Sequence, residues 1–287
     1  MPGSNESDPL NGSARLRRAF RREQRILARH LARLPGTDPV DVHQSRVACR
    51  RLRSYLKVFE PFFEDEAALG YRKMLGAIAE FGSELRELDV IAALPELRRE
   101  PFAAELRQAR VRTVRAMRRR LSTTANAARL AAVRETTIGT LGLLSGVPHS
   151  AVLRRVRRTW RRADELVISP PRADETLHEL RIRLKNCRYA LEIVDDVVPE
   201  AADALDRRLR EVQQILGDRR DAAAAIEWVK SCRAPVPPRR KALAMLVVRR
   251  RRLERGLGPS LRQLAAGGRR WDKAVTRLID RDFAGPS

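Results

Sequence analysis

The chain has 287 residues, of which 43% are hydrophobic, and its 59 basic and 36 acidic side chains give a formal net charge of +23. This hydrophobic content is sufficient for packed cores and excludes a disordered chain, while the positive field attracts anionic partners. Scattered cysteines, a polar N-terminus and the lack of a long apolar run exclude a disulfide framework, a secretory signal and a membrane span, so we expect a cytoplasmic protein without a membrane partner.

Helical periodicity runs through almost the whole chain and is broken by Pro and Gly, which predicts an all-α fold. From the sequence we expect a disordered tail (1–12), a first helical repeat (13–122) and a connector that contains part of another helix (123–149). We expect a second helical repeat (150–256) and a C-terminal helix and tail (257–287) to follow. The main helices are predicted over residues 13–34, 39–61, 66–93, 101–121, 150–167, 174–197, 200–231, 238–256 and 260–282.

The second helix of each repeat carries the same pattern of basic residues. His43 and Arg46 recur in the second half of the chain as His178 and Arg181, aligned without a gap, although the chain has only four histidines. On a helical projection they share an arc of roughly 80° with further basic residues, opposite an apolar face. The two basic faces consist of His43, Arg46, Arg50, Arg53 and Lys57 in the first copy, and of His178, Arg181, Lys185 and Arg188 in the second.

These basic faces favour a bound polyanion. Like charges one turn apart destabilise an isolated helix by a few tenths of a kcal/mol per pair, so folding alone does not account for two such faces. Asp38 and Asp174 are predicted N-caps, which would place both histidines in the first turns of their helices, where the helix dipole also favours an anion. In an empty site the neighbouring arginines should suppress protonation of the histidines, so we expect anion binding to take up protons.

The third helix of each repeat carries acidic residues at matching positions. Glu84 and Glu87 recur as Asp218 and Asp221, with the same separation along the chain for both pairs. These carboxylates either pair with arginines of the basic faces or are solvated. The repeated order and spacing of the elements predict two four-helix bundles related by an approximate internal two-fold.

With the duplicated basic faces and the acidic segments Leu85–Val90 and Leu216–Asp221, the chain resembles the CHAD family, the conserved histidine α-helical domain, over about residues 13–256. The resemblance implies two antiparallel four-helix bundles around a basic central cavity that binds inorganic polyphosphate without catalysis. It implies that the cavity is lined by His43, Arg46, Arg50 and Arg53 of the first basic face and by all four residues of the second, while Lys57 is a candidate from the helical projection. The second copy departs from the first where Asn186 replaces Arg51 and Glu192 occupies the position of Lys57.

Outward arginines on the first helix of each repeat are secondary candidates for the cavity lining. They are Arg18, Arg22 and Arg25 in the first repeat, and Arg154, Arg158 and Arg161 in the second. Polyphosphate binding would also allow association with polyphosphate granules, while the sequence specifies no oligomeric state.

Two other functions explain part of the pattern. Weak nucleic-acid binding is the main alternative because phosphate neutralisation also accounts for the charge. Against it, aromatic residues make up only 5% of the chain and are not interleaved with arginine. A metal-dependent phosphohydrolase would recruit the acidic residues of the third helices. No cofactor or metal motif is complete, and we expect a protein that is not an enzyme.

Overall fold

A computed structural model describes residues 11–170 and 173–284 of the protein. Within these two ranges the chain forms α-helices joined by turns and contains no β-strand, which confirms the predicted all-α class. In chain order the helices are α1 (Gly12–Arg33), α2 (Pro39–Val58), α3 (Asp65–Phe81), α4 (Ser83–Ala93), α5 (Phe102–Leu121), α6 (Thr124–Glu135), α7 (His149–Ile168), α8 (Asp174–Leu191), α9 (Pro199–Ser231) and α10 (Val236–Ala284).

The predicted N-terminal tail extends too far into the chain. Its residues 1–10 lie outside the described residues, as do residues 285–287 of the predicted C-terminal tail. Asn11, in contrast, caps α1, because its Oδ1 accepts a hydrogen bond from the backbone N–H of Ala14 at 3.1 Å. Asparagine is a favoured residue at this position, so the start of α1 has a local signal in the sequence that the prediction missed.

Only one of the two predicted aspartate caps is present. Asp38 accepts a hydrogen bond from the backbone N–H of Val40 at 2.7 Å and caps α2, as predicted. Asp174 is instead the first residue of α8 and does not cap it. Its carboxylate pairs with Arg219 of α9 and with Arg250 of α10, so long-range ion pairing replaces the local cap.

The predicted position of the histidines and the predicted end of α8 both need correction. His43 and His178 are each the fifth residue of their helix and therefore lie past the four free N–H groups of the first turn. Helix α8 ends at Leu191 rather than at residue 197. The turn that follows buries Ile193 and Val194 together, so packing takes the place of further helix.

The helix predicted over residues 66–93 is two helices, α3 and α4, which meet at Gly82. A Cβ atom at Gly82 would lie 2.6 Å from Cγ1 of Val42, because α2 passes very close to this point. The side chain of Arg46 also reaches the junction, where its Nη1 donates hydrogen bonds to the carbonyl of Ala79 and to Oγ of Ser83. The junction between α3 and α4 therefore helps to hold the side chain of Arg46, a predicted site residue, in position.

We expect Gly82→Ala to lower the free energy of unfolding by about 1–3 kcal/mol, because the added methyl group would overpack the contact with α2. Gly217 is the matched control, since it lies inside α9 with no atom within 4 Å of its Cβ position. Gly217→Ala should raise stability by about 0.5–1 kcal/mol through helix propensity alone. Urea unfolding measures both changes, and equal effects of the two variants would contradict this account of the break.

The helices predicted over residues 238–256 and 260–282 are one continuous helix, α10, with Pro259 inside it. A proline in a helix interior costs about 3 kcal/mol, so the local sequence favours a break at this point. Leu257, Leu261 and Leu264 are buried on both sides of the proline. Their shared packing against the core outweighs the lost hydrogen bond and keeps the helix continuous.

Two hydrophobic cores each combine residues from both predicted repeats. The larger core joins, among others, Phe20 of α1 to Trp160 of α7, and the smaller joins Leu106 of α5 to Val229 of α9. Helix α2 packs against α8 within this arrangement. Packing therefore unites the repeats and brings the two helices with basic faces together, while the internal two-fold and the central cavity stay predictions.

Candidate anion-binding site

The predicted apolar faces of α2 and α8 are buried where the helices pack. Cys49 and Leu52 of α2, and Leu184 and Cys187 of α8, are at most 1% exposed. Burial raises the pKa of the Cys49 thiol to about 12, so this cysteine is an inert core residue, as predicted. Because each helix buries this face, its basic residues lie on the opposite side.

Basic residues from α2, α4, α8 and α9 interact electrostatically where α2 packs against α8. Helices α2 and α8 pack against each other, and burial followed by neighbouring charges, among them Arg50 of α2, lowers the pKa of both Arg181 and Lys185 of α8. Arg220 of α9 acts on the same two residues. We define the basic cluster as His43, Arg46, Arg50, Arg86, His178, Arg181, Lys185 and Arg220.

Lys185 has the most strongly shifted titration in the basic cluster. Burial, followed by the charges of Arg50, Arg181, Arg220 and Arg188, lowers the pKa of its amine to about 6. Desolvation and like charges both disfavour the ammonium form. The amine is therefore mainly neutral at pH 7 while the site is empty.

Both histidines of the basic cluster have lowered pKa values. Burial is the main cause for His43, followed by the charges of Arg86 and Arg50. Burial also leads for His178, followed by Arg181. The predicted suppression of protonation is confirmed in direction, with burial as the largest single cause and the neighbouring basic residues as further causes.

Arg86 of α4 and Arg220 of α9 were not predicted as site residues. Arg220 follows Arg86 by the same number of residues by which Asp218 follows Glu84. This repeat is the sequence signal that could have identified both arginines. With Arg46 they line a cavity of about 90 Å³. Guanidinium groups from α2, α4 and α9 therefore meet at one cavity, whose lining also includes the carboxylates of Glu87 and Asp221.

The acidic residues of the third helices, Glu84, Glu87, Asp218 and Asp221, have different environments. Asp221 lies beside Arg181, whose positive charge opposes the rise that burial causes in its pKa. Glu87 pairs with Arg220 at 3.7 Å. The other two carboxylates accept hydrogen bonds from neutral side chains. Of the four, Asp221 alone is placed beside an arginine of a predicted basic face.

Three predicted residues lie outside the basic cluster. Arg53 is exposed and lies over Gly76 of α3. Lys57 lines a separate cavity. Arg188 lies at the edge of the cluster, with its guanidinium 5.1 Å from the ring centre of Tyr189. A helical projection shows which side of a helix a residue lies on. Two crossing helices, however, contact each other over only a few turns, so residues further along the same face lie away from the crossing point.

The secondary candidates also lie away from the basic cluster. Arg18 and Arg22 line a cavity beside Glu192, and Arg158 lines the cavity that contains Lys57. Arg161 pairs with Asp272 of α10 at 3.2 Å. Arg25 and Arg154 are exposed.

Metal ligands and membrane spans are both missing from residues 11–170 and 173–284. No group of three or more His, Cys, Asp or Glu side chains in these ranges is arranged to hold a metal ion. No helix in these ranges is long and apolar enough to cross a membrane.

The family model of the CHAD domain matches residues 13–230. Comparison with curated proteins gave no match. Among solved structures, the protein is similar to PptA from Streptomyces chartreusis, with 18% sequence identity, a TM-score of 0.65, and coverage of 90% of this chain and 99% of that chain. It is also similar to the CHAD domain from the plant Ricinus communis, with 20% identity, a TM-score of 0.67, and coverage of 90% and 91%. Both structures share its fold, and because the family match spans well over half of the sequence, the protein belongs to the CHAD domain family.

Proposed function

We propose that the protein binds inorganic polyphosphate through the basic cluster, without catalysis. The observation that carries this proposal is a set of cations that repel one another and are only partly compensated, by the charges of Glu80 and Asp221. In the parts of the chain that the structure describes, Arg46, Arg50, Arg181 and Lys185 form no ion pair with a carboxylate. A bound polyanion would supply the missing negative charge and accept the guanidinium hydrogen bonds.

Polyphosphate fits this arrangement better than nucleic acid does. Lys185 and Arg181 are half-buried between helices, so their ligand must enter a recess. Duplex DNA is stiff, with a persistence length of about 50 nm, and favours open surfaces, whereas a chain of phosphates bends at each unit. Single-stranded nucleic acid would require aromatic stacking platforms, and aromatic residues form only 5% of the chain.

The composition of the basic cluster also supports a role in binding rather than in hydrolysis. Hydrolysis of a phosphoanhydride needs a group that activates water and, in most enzymes, carboxylates that hold metal ions. The cluster offers cations and two imidazoles, and the nearby carboxylate of Asp221 faces Arg181 and Arg220. We place the protein in the cytoplasm, where binding would bring it to polyphosphate granules.

Charge reversal in the basic cluster tests the proposal. Arg46→Glu/Arg181→Glu should weaken binding of long-chain polyphosphate by roughly a hundredfold or more, because each arginine contributes charge-assisted hydrogen bonds. Fluorescence anisotropy with labelled polyphosphate measures the affinity, and circular dichroism verifies the fold. Arg50→Glu/Arg220→Glu is a second variant, and His43→Ala/His178→Ala should show a smaller loss.

The matched control is Arg112→Glu/Arg115→Glu, which makes the same change in net charge on the exposed side of α5. If this control loses as much affinity as the cluster variants, binding depends on the overall field and the proposed site is wrong. Competition separates the two ligands. Displacement of polyphosphate by DNA at equal phosphate concentration and moderate salt would favour the nucleic-acid alternative.

A further inference from the structure

Two cavities outside the basic cluster occupy matching positions in the two repeats. The α7 pocket is a cavity of about 580 Å³ whose lining includes Lys57, Arg155, Arg158 and Arg162. The α1 pocket is a cavity of about 310 Å³ whose lining includes Arg15, Arg18, Arg22 and Glu192. Each combines the first helix of one repeat with the end of the basic-faced helix of the other.

The sequence repeat relates the two pockets residue by residue. Arg155, Arg158 and Arg162 follow Arg15, Arg18 and Arg22, respectively, by the same separation along the chain. Lys57 and Glu192 are related by the separation that also relates His43 to His178. The pockets therefore contain equivalent arginines but an opposite charge at one equivalent position.

In the α1 pocket, carboxylates neutralise the arginines. Arg15 pairs with Asp196, and Arg22 lies 3.7 Å from Glu192. Glu192 also pairs with Arg51 at 2.8 Å. The arginines of this pocket are matched by the carboxylates of Glu192, Asp195 and Asp196, so the pocket has no excess of positive charge to offer a ligand.

In the α7 pocket, this neutralisation is incomplete, because the basic side chains of the lining outnumber the carboxylates. Lys57 replaces Glu192, and Asn186 replaces Arg51, so both partners of the central ion pair are changed. Glu165 and Glu179 of the lining both pair with Arg183, at 3.5 and 2.6 Å. Glu60, which also lines the pocket, pairs with Arg72 of α3 at 3.7 Å.

The remaining cations of the α7 pocket are only partly compensated, because the charge of Glu60 acts on Arg155 while the ion pair of Glu60 is with Arg72. Within the described residues, Lys57, Arg155, Arg158 and Arg162 form no ion pair. After burial, the charges of Arg158 and Arg162 are the next causes that lower the pKa of Arg155, which places the three guanidinium groups close together. One pocket of the pair is thus electrostatically satisfied and the other is not.

We propose that the α7 pocket is a second anion site, which binds a short chain of two or three phosphoryl groups independently of the basic cluster. The cavity volume lies within the range of about 300–1,000 Å³ that is usual for small-ligand sites. Lysine and arginine supply charge-assisted hydrogen bonds to phosphoryl oxygens, and the amide of Asn186 supplies a neutral donor. The same chemistry fits a free oligophosphate or a segment of a long polyphosphate.

Tripolyphosphate is the probe, and isothermal titration calorimetry is the measurement. Tripolyphosphate is expected to bind both the basic cluster and the α7 pocket. The first variant, Arg46→Glu/Arg181→Glu, therefore abolishes binding at the basic cluster. This variant should still bind tripolyphosphate at one site. Adding Lys57→Glu/Arg158→Glu should weaken that binding roughly tenfold or more. Lys57 and Arg158 are exposed, so their replacement should leave the fold intact.

The matched control adds Arg18→Glu/Arg25→Glu instead, which makes the same change in charge on exposed positions of α1. It should leave tripolyphosphate binding within about twofold, because the α1 pocket is neutralised. The inference is overturned if the cluster variant binds no tripolyphosphate, or if the α7-pocket and α1 changes have equal effects. Either result leaves the test of the basic cluster, which uses long-chain polyphosphate, unaffected.

The wild-type background distinguishes the source of the ligand. If Lys57→Glu/Arg158→Glu lowers the affinity for long-chain and short-chain phosphate alike, the pocket holds a segment of the long chain. If only tripolyphosphate binding weakens, the pocket takes a free oligophosphate. Both outcomes support the second site and identify its occupant.

Discussion

Polyphosphate affinity is expected to fall by up to about tenfold for each pH unit between pH 6 and pH 8. The main cause is Lys185, whose pKa of about 6 in the empty site results from burial and from Arg50, Arg181, Arg220 and Arg188. A bound polyanion raises this pKa, so binding is strongest below pH 6 and takes up a proton above it. His43 and His178, whose pKa values are also lowered, should add proton uptake.

Lys185→Arg is the decisive variant, because arginine keeps its proton throughout this range. Its affinity should vary much less between pH 6 and pH 8 and should exceed that of the wild type at pH 8. Calorimetry at pH 7 in buffers of different ionisation enthalpy should show proton uptake by the wild type and less by the variant. Proton uptake that is zero in the wild type, or unchanged by Lys185→Arg, would falsify this account.

Gly268→Ala is expected to have the largest effect on stability, at least about 3 kcal/mol or a failure to fold. A Cβ atom at Gly268 of α10 would lie 1.6 Å from Cζ2 of Trp160 in α7, and this tryptophan is only 1% exposed. The ring has no free space into which it can move, because it belongs to the larger core. The helices would have to separate to accept one methyl group.

The neighbouring glycine provides the control. The nearest atom to a Cβ at Gly267 is Cγ of Arg208 at 3.9 Å, an ordinary contact with a flexible side chain. Gly267→Ala should therefore stabilise α10 by about 0.5–1 kcal/mol. Urea unfolding of the two variants gives the comparison, and a loss of less than about 1 kcal/mol for Gly268→Ala would show that the contact is not as close as described.

The sequence by itself predicted the all-α class and which faces of α2 and α8 are buried, because both depend on local periodicity. The apolar faces of α2 and α8 are buried around Cys49 and Cys187, as the projection predicted. The spacing of His43 and Arg46 against His178 and Arg181 also identified the two basic helices. The family match over residues 13–230 confirms the resemblance that rested on those residues.

Tertiary structure alone decided which basic residues meet. Arg86 and Arg220 join the site because α4 and α9 pack beside it, whereas Lys57, on the predicted face, lies in another cavity. The break at Gly82 and the continuity of α10 through Pro259 likewise depend on contacts with distant helices. The order of side chains along one helix determines which of its faces is basic and which is apolar. The points at which two helices cross depend on packing between segments far apart in the chain, and local periodicity carries no information about this packing.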